Sequence, residues 1–329
     1  MKKNIAILAG GDSSEWVISL KSAEQVKNVL DDQLYNKFMI VIRGTEWILK
    51  DDLGDIKINK DDFSVIKNGA KINFDCAFII IHGTPGENGL LQSYFELLRI
   101  PYTTCDVLVS ALTFNKLACK AFVKEFGVLT AKAIILRKGD EVNISKIINY
   151  LGLPCFVKPN NGGSSFGASK VKLTEELLPA IENALKEDNE VIIEEFIKAT
   201  ELTCGVFKTR KNQYVFPITE VVSKNEFFDY EAKYTPGKSE EITPARISTE
   251  MEQRCKALSS SIYDILKCNG IVRIDYLLRE NDLYFMEINT VPGMSQQSII
   301  PQQVRVLGLE LHEIFNELID DSIERMKIR

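Results

Sequence analysis

Histidine is scarce in this 329-residue chain, with only His82 and His312, and no two of the seven cysteines stand closer than 13 positions, so no CxxC pair exists. A zinc site therefore lacks its usual ligands. The odd cysteine count, and apolar settings such as Asp75-Cys-Ala-Phe-Ile and Leu153-Pro-Cys-Phe-Val, point to reduced core residues rather than bridges. Long apolar runs are also missing. Met1-Lys-Lys-Asn is followed by only five apolar residues before Gly10-Gly11, too few for a secretory core or a membrane span, so a cytoplasmic protein without membrane contact is expected. Positive charge is not in excess: the net charge of −6 argues against general nucleic-acid binding, which needs a basic stripe to displace counterions. A few lysines can still hold a small anion locally. Repeats and low-complexity segments are absent. What remains, 45% apolar and 26% charged residues, is ordinary globular composition, and the length predicts two or three domains.

The most informative stretch lies near the end. Two apolar runs, Ile271 to Leu278 and Leu283 to Ile288, flank the tetrad Arg279-Glu-Asn-Asp282 and predict an antiparallel hairpin. Alternation places Arg273 and Asp275 on one face, and Glu287 and Asn289 on one face. Two carboxylates, an amide oxygen and a guanidinium then meet across neighbouring strands. Hard oxygen donors of this kind suit Mg²⁺; an ion-pair ladder is the alternative.

From the start of the chain, Asn4 to Ala9 predicts a parallel strand covered on both faces, followed by the turn Gly10-Gly-Asp-Ser-Ser-Glu15 and a helix to about Leu30. Further strands at Phe38 to Ile42 and Cys76 to Ile81 make the first domain a small doubly wound sheet, α/β in class. Such sheets bind ligands at the carboxyl ends of their strands, which makes Ser13, Ser14 and Glu15 candidates, with a helix cap by Ser13 or Ser14 as the alternative. The loop Ile81-His-Gly-Thr-Pro-Gly-Glu-Asn-Gly89 holds His82 and Glu87 at a second such strand end. Ser110 can cap a helix running to Gly127, with Lys116 and Lys120 on its polar side, where lysines are commonly just solvated. A domain boundary is expected near residue 105.

Strands at Cys155 to Lys158 and Ala168 to Val171 enclose a loop of Gly162, Gly163, Ser164, Ser165 and Gly167. Bare backbone N–H groups and serine hydroxyls suit a phosphate cover, with Lys158 aimed at the same phosphates; a ligand-free Gly/Ser hairpin loop is the alternative. Glu194 and Glu195 lie within a buried strand and project to opposite faces, so one needs a hydrogen-bond donor such as an adenine amino group or ribose hydroxyls. Glu201 follows in a further strand. Residues 227–239 mix aromatic and ionisable side chains without a period, as a lid over a site does, or a long surface loop.

Five stretches in order resemble the ATP-grasp superfamily, and closely its D-alanine:D-alanine ligase family: Gly10-Gly-x-Ser-x-Glu15, His82-Gly-x-x-Gly-Glu-x-Gly89, Phe156-Val-Lys-Pro-x-x-Gly-Gly-Ser-Ser-x-Gly167, Tyr230-Glu-Ala-Lys-Tyr234, and Arg273-x-Asp275 with Glu287-x-Asn-Thr-x-Pro-Gly-Met294. Each is weak alone; the ordered set spans nearly the whole chain and is specific. The resemblance implies an amino-terminal substrate domain (1–104) and two α+β domains (105–195 and 196–329) that clasp ATP. It implies phosphate contacts by Lys116, Lys158 and Lys233, closure of the Gly163-Ser164-Ser165 loop over them, and adenine and ribose contacts along Glu194, Glu195, Ile197 and Glu201. Asp275, Glu287 and Asn289 would hold two Mg²⁺ (or Mn²⁺) ions. Glu15 would meet the ammonium of a first D-alanine, with His82 and Glu87 beside it, while Gly293, Ser298 and Ile299 would receive the carboxylate of a second. Glu15, Ser164 and Tyr234 would link three domains on closure, and Arg273 would face the developing oxyanion. The implied reaction forms an acyl phosphate from ATP and one D-alanine, then D-alanyl-D-alanine for peptidoglycan, with no protein nucleophile. In this family Tyr at the position of Tyr234 goes with the dipeptide and Phe with the D-lactate ester. Trp16 departs from the pattern, since many members carry His there. A homodimer is implied by analogy alone.

Overall fold

The computed structural model describes residues 2–163, 166–223 and 239–328. Its first sheet contains β1 (Lys3–Gly10), β2 (Tyr35–Arg43), β3 (Glu46–Leu49), β4 (Ile56–Lys57) and β7 (Cys76–Ile79), in the order β4-β3-β2-β1-β7; β5 (Val65–Lys67) and β6 (Ala70–Ile72) form a separate hairpin. β2 and β7 run parallel to β1 on its two sides, so the strand order reverses at β1. α1 (Trp16–Val29) follows the turn after β1 and α2 (Leu90–Leu98) the loop after β7. Ile5 to Ala9 are wholly buried, as a strand covered on both faces requires. The sheet has an edge the sequence did not disclose: β3 and β4 are antiparallel, because only Gly44-Thr45 joins β2 to β3 and a parallel crossover needs a dozen residues.

The helix expected from Ser110 to Gly127 is two helices, α3 (Val107–Phe114) and α4 (Lys116–Lys124). Ser110 caps neither; its hydroxyl donates to the Cys105 carbonyl. Asp106 accepts from Val109 N at the start of α3, and Asn115, extended at ψ 104°, accepts from Ala118 N at the start of α4. Asn competes well for an N-cap, so the break falls there. Lys116 thereby opens a helix.

In the second sheet, β10 (Ser169–Val171), β9 (Cys155–Pro159), β11 (Glu190–Glu195) and β8 (Ala133–Arg137) lie in that order, all antiparallel. α5 (Ile144–Leu151) and α6 (Leu177–Ala184) share a core with Val157, Val191 and Ile193. The period of two then turns Lys158, Ile192 and Glu194 to the opposite face.

The third sheet has the order β15 (Ser239–Ile242), β14 (Thr219–Ser223), β12 (Thr200–Lys208), β16 (Ile271–Arg279), β17 (Asp282–Asn289), with β13 (Gln213–Val215) paired to β12. α7 (Thr249–Ile265) contributes Met251, Cys255 and Ile262 to a core with Leu202, Cys204 and Val272. α8 (Ile299–Val306) and α9 (Leu311–Ile328) return to the first sheet, where Phe315 meets Phe78 edge-on at 5.2 Å. Each such buried ring contributes about 1.5–3 kcal/mol, and together they fix the third sheet against the first.

Candidate active site

The expected hairpin forms, and in it Arg273 stands opposite Asn289, and Asp275 opposite Glu287. Of the two readings, the ion pair is the one seen directly. Arg273 Nε and Nη2 donate to the two Asp275 oxygens at 2.9 and 2.7 Å, an ion pair along one strand. Asn289 Nδ2 donates to Asp275 Oδ2 at 3.0 Å, and Thr203 Oγ1 on β12 donates to Asp275 Oδ1. Burial works against the Arg273 charge, but Asp275 outweighs it and raises the guanidinium further above its ordinary value. Two carboxylates and an amide on one face are hard oxygen donors, so the residues fit Mg²⁺. A β-bulge between Asp275 and Tyr276 closes this pattern on its far side.

Lys158 and Glu194 meet diagonally across β9 and β11, with Nζ 2.8 Å from Glu194 Oε2. Glu194 does not stand open for adenine. Its other oxygen is taken by Lys120, so the carboxylate is a counter-ion between two lysines. Burial alone would raise Glu194, yet Lys120 and Lys158 hold it down at about 2. Lys158 is raised, since Glu194 and Glu287 outweigh burial, whereas for Lys120 burial wins and lowers it. Neither Lys116 nor Lys120 is a solvated surface lysine. Lys116 bonds the Gly162 carbonyl and stands 3.7 Å from Glu287, and Lys120 is almost fully buried. Glu195 projects the other way, as predicted, and accepts from Lys132 N at 2.8 Å.

The two amino-terminal loops meet beside β1. The Ser13 hydroxyl accepts from Glu15 N at 3.3 Å just ahead of α1 and donates to the His82 carbonyl at 2.8 Å, under Gly83, where a β-carbon would come within 2.9 Å of Ser13. His82 Nδ1 faces the Val291 carbonyl at 2.8 Å, so Nδ1 carries the proton and Nε2 is a buried acceptor with no partner among the described residues. Burial lowers the His82 imidazole and keeps it neutral. Glu87 accepts from Gly83 N at 2.7 Å and Val291 N at 3.2 Å, but burial and the Glu15 charge push it up to about 7. Beyond Val291, Gly293 packs so close to Ser298 that a β-carbon would lie 2.9 Å from Ser298 Oγ, and Ser298 precedes α8 at Ile299.

All these groups line one cleft of about 1680 Å³, whose wall also includes Glu15, Ile197, Glu201, Gly293 and Ile299. That is room for a nucleotide and two amino acids. The sequence profile of D-ala D-ala ligase N-terminus matches residues 4–105, and that of D-ala D-ala ligase C-terminus matches residues 122–320. A D-alanine--D-alanine ligase of Phocaeicola vulgatus is 53% identical over 324 residues, covering 98% of this chain and 100% of the relative. The VanG D-Ala:D-Ser ligase structure from Enterococcus faecalis superposes with a TM-score of 0.86 at 32% identity, over 98% of this chain and 100% of that one. A D-alanine--D-alanine ligase structure from Bacillus anthracis complexed with ATP gives 0.79 at 27% identity, over 99% of each chain.

The chain belongs to the D-alanine:D-alanine ligase family.

As a member of that ATP-grasp family it places most of the expected ligase residues around one cleft. Ser164, Ser165, Lys233 and Tyr234, with most of the 227–239 stretch, lie outside the described residues. Trp16, where many ligases carry His, is stacked under Arg43 at 4.5 Å and does not line the cleft. Sequence reasoning missed Lys120, Thr203 and Val291. For Lys120 a signal existed: it is one turn from Lys116 and so shares its face.

Proposed function

We propose that this protein uses ATP to join two D-alanine molecules into D-alanyl-D-alanine for peptidoglycan precursor synthesis. The observation that carries this reading is the convergence of Lys158, the Asp275-Glu287-Asn289 face and the Glu15-His82 loops on one cleft, in a chain 53% identical over its length to a D-alanine--D-alanine ligase. The first D-alanine sits with its ammonium at Glu15 and at His82 Nε2, which has no partner among the described residues. Its carboxylate oxygen attacks the γ-phosphorus, ADP leaves, and an acyl phosphate results. The amine of the second D-alanine, held by its carboxylate at Gly293, Ser298 and Ile299, loses a proton and attacks that carbonyl. The tetrahedral intermediate expels phosphate. Negative charge grows in both steps, and Lys116, Lys158 and Arg273 stabilise it electrostatically.

Asp275, Glu287 and Asn289 would hold two Mg²⁺ or Mn²⁺ ions, which when bound supply charge neutralisation at the phosphates. Gly163, Ser164, Ser165 and Lys233 complete the phosphate contacts; Glu195, Ile197 and Glu201 border the adenosine. Tyr234 joins Glu15 and Ser164 on closure. The three sheets support domains of 1–104, 105–195 and 196–329, the last sending α9 back to the first sheet. Among the described residues no helix is long and apolar enough to cross a membrane; action in the cytoplasm is proposed by family analogy. A homodimer is proposed by family analogy.

The test is ADP release with chromatographic detection of the product. Release strictly dependent on D-alanine and Mg²⁺ is expected. D-serine and D-lactate serve as rival acceptors, the first suggested by the structural likeness to a D-Ala:D-Ser ligase. Tyr234→Phe should gain some D-lactate ester, and an unchanged acceptor choice would remove Tyr234 from this role.

A further inference from the structure

Lys120 has no task in the reading above, yet at 4% exposure it is more buried than the other buried Asp, Glu, Lys and Arg among the described residues. An ammonium persists there only if paired. Its partner is Glu194, and Glu194 has a second cation, Lys158, at 2.8 Å. Glu194 thus holds two cations where its own charge needs one, while Glu287 acts on both lysines from further off and Glu201 on Lys158. Lys116, one turn before Lys120, stands beside Glu287 instead. The two lysines differ in their surroundings. Lys120 projects from α4 and is 5% exposed at its side chain, whereas Lys158 lies on the cleft face of β9 at 12%.

We propose that Lys120 is a positioning residue for the nucleotide: its ion pair neutralises Glu194 permanently, so that Lys158 can leave Glu194 for the phosphates of ATP. The inference rests on the reading of Lys158 as a phosphate ligand. Without Lys120, Glu194 and Lys158 form a neutral buried pair, and moving Lys158 to a phosphate strands an ionised carboxylate in the interior. That penalty opposes triphosphate binding. Adenosine has no phosphate, does not draw on Lys158, and escapes the penalty.

Calorimetric titration with Mg²⁺ and a non-hydrolysable ATP analogue, and separately with adenosine, tests this on wild type, Lys120→Met and Lys120→Met/Glu194→Gln. Lys120→Met should weaken the triphosphate about tenfold and leave adenosine within about twofold. The double variant removes the stranded charge and should regain most of the lost affinity. Equal losses for both ligands, no loss of triphosphate affinity, or no recovery in the double variant would each overturn the proposal. If Lys120→Met does not fold, the double variant carries the test: near-wild-type triphosphate affinity supports the proposal and a tenfold loss refutes it. Wild type binding the triphosphate no better than adenosine would remove the Lys158 reading and the proposal with it. Tight triphosphate binding without D-alanine-dependent ADP release would count against the ligase reading alone.

Discussion

Gly163 lies directly against Glu15: a β-carbon at position 163 would stand 2.6 Å from Glu15 Oε2, well inside van der Waals contact. The glycine, between β9 and β10, thus touches the carboxylate that closes the turn after β1, 148 positions earlier by their numbers. The loop proposed for the phosphates and the carboxylate proposed for the ammonium are fitted to each other.

Gly163→Ala should therefore displace Glu15 or the loop. Misplacement of about 1 Å can cost up to about a hundredfold in rate. We expect kcat/KM for D-alanine to fall about tenfold or more, with a melting temperature close to wild type, because the cleft rather than a core is disturbed. Steady-state kinetics beside a thermal melt check this; unaltered kinetics would show that the loop yields freely.

Glu287→Gln removes a charge from the metal face while keeping the side chain's shape. Turnover should drop by about a hundredfold or more, as loss of charge stabilisation in the transition state implies. The fold should survive, since Glu287 is a quarter exposed at its side chain and belongs to no core cluster. Activity near wild type would sink the metal assignment.

Glu87 gives a pH signature. Its carboxyl rises from 4.5 to about 7 in the folded protein, so between those values the folded chain holds a proton that the unfolded chain has lost. Its contribution to stability is therefore full below about pH 4.5 and disappears as pH rises through about 7. Glu87→Gln does not titrate. Relative to wild type it should gain on the order of 2–3 kcal/mol between about pH 5 and 8, read from urea unfolding of the ligand-free protein at each pH. A pH-independent difference would mean that Glu87 is ionised throughout.

Thr203→Val keeps the volume at Thr203 and removes the hydroxyl donated to Asp275. A bond to a charged group is worth about 1.5–3 kcal/mol. Stability should fall by that order, and Asp275, less firmly oriented, should require more Mg²⁺ for half-maximal activity. A Mg²⁺ titration indistinguishable from wild type would restrict Thr203 to a structural part.

Much of this was legible in the chain because strand chemistry is local. Alternation in Arg273-Ile-Asp275 and Glu287-Ile-Asn289 fixed which side chains share a face, and the polar tetrad Arg279-Glu-Asn-Asp282 marked the hairpin turn, although Arg279 and Asp282 pair in the strands and only Glu280-Asn281 connects them. Glu194 and Glu195 on opposite faces followed from the same rule. The break at Asn115 was not legible, since apolar spacing ran on through it and only the competition between caps decided the outcome.

The sequence by itself determined the α/β alternation, the strand-end loops carrying Glu15 and His82, and the alternation that turns Arg273 with Asp275, and Glu287 with Asn289, to one face of each strand, because each depends on neighbours within a few positions. Tertiary structure alone decided that Lys120 meets Glu194, that Val291 supplies both His82 and Glu87, and that Gly163 rests on Glu15. Such pairs join residues 74 to 209 positions apart, and no periodicity reaches that far. They exist because buried charges must find partners wherever packing brings them.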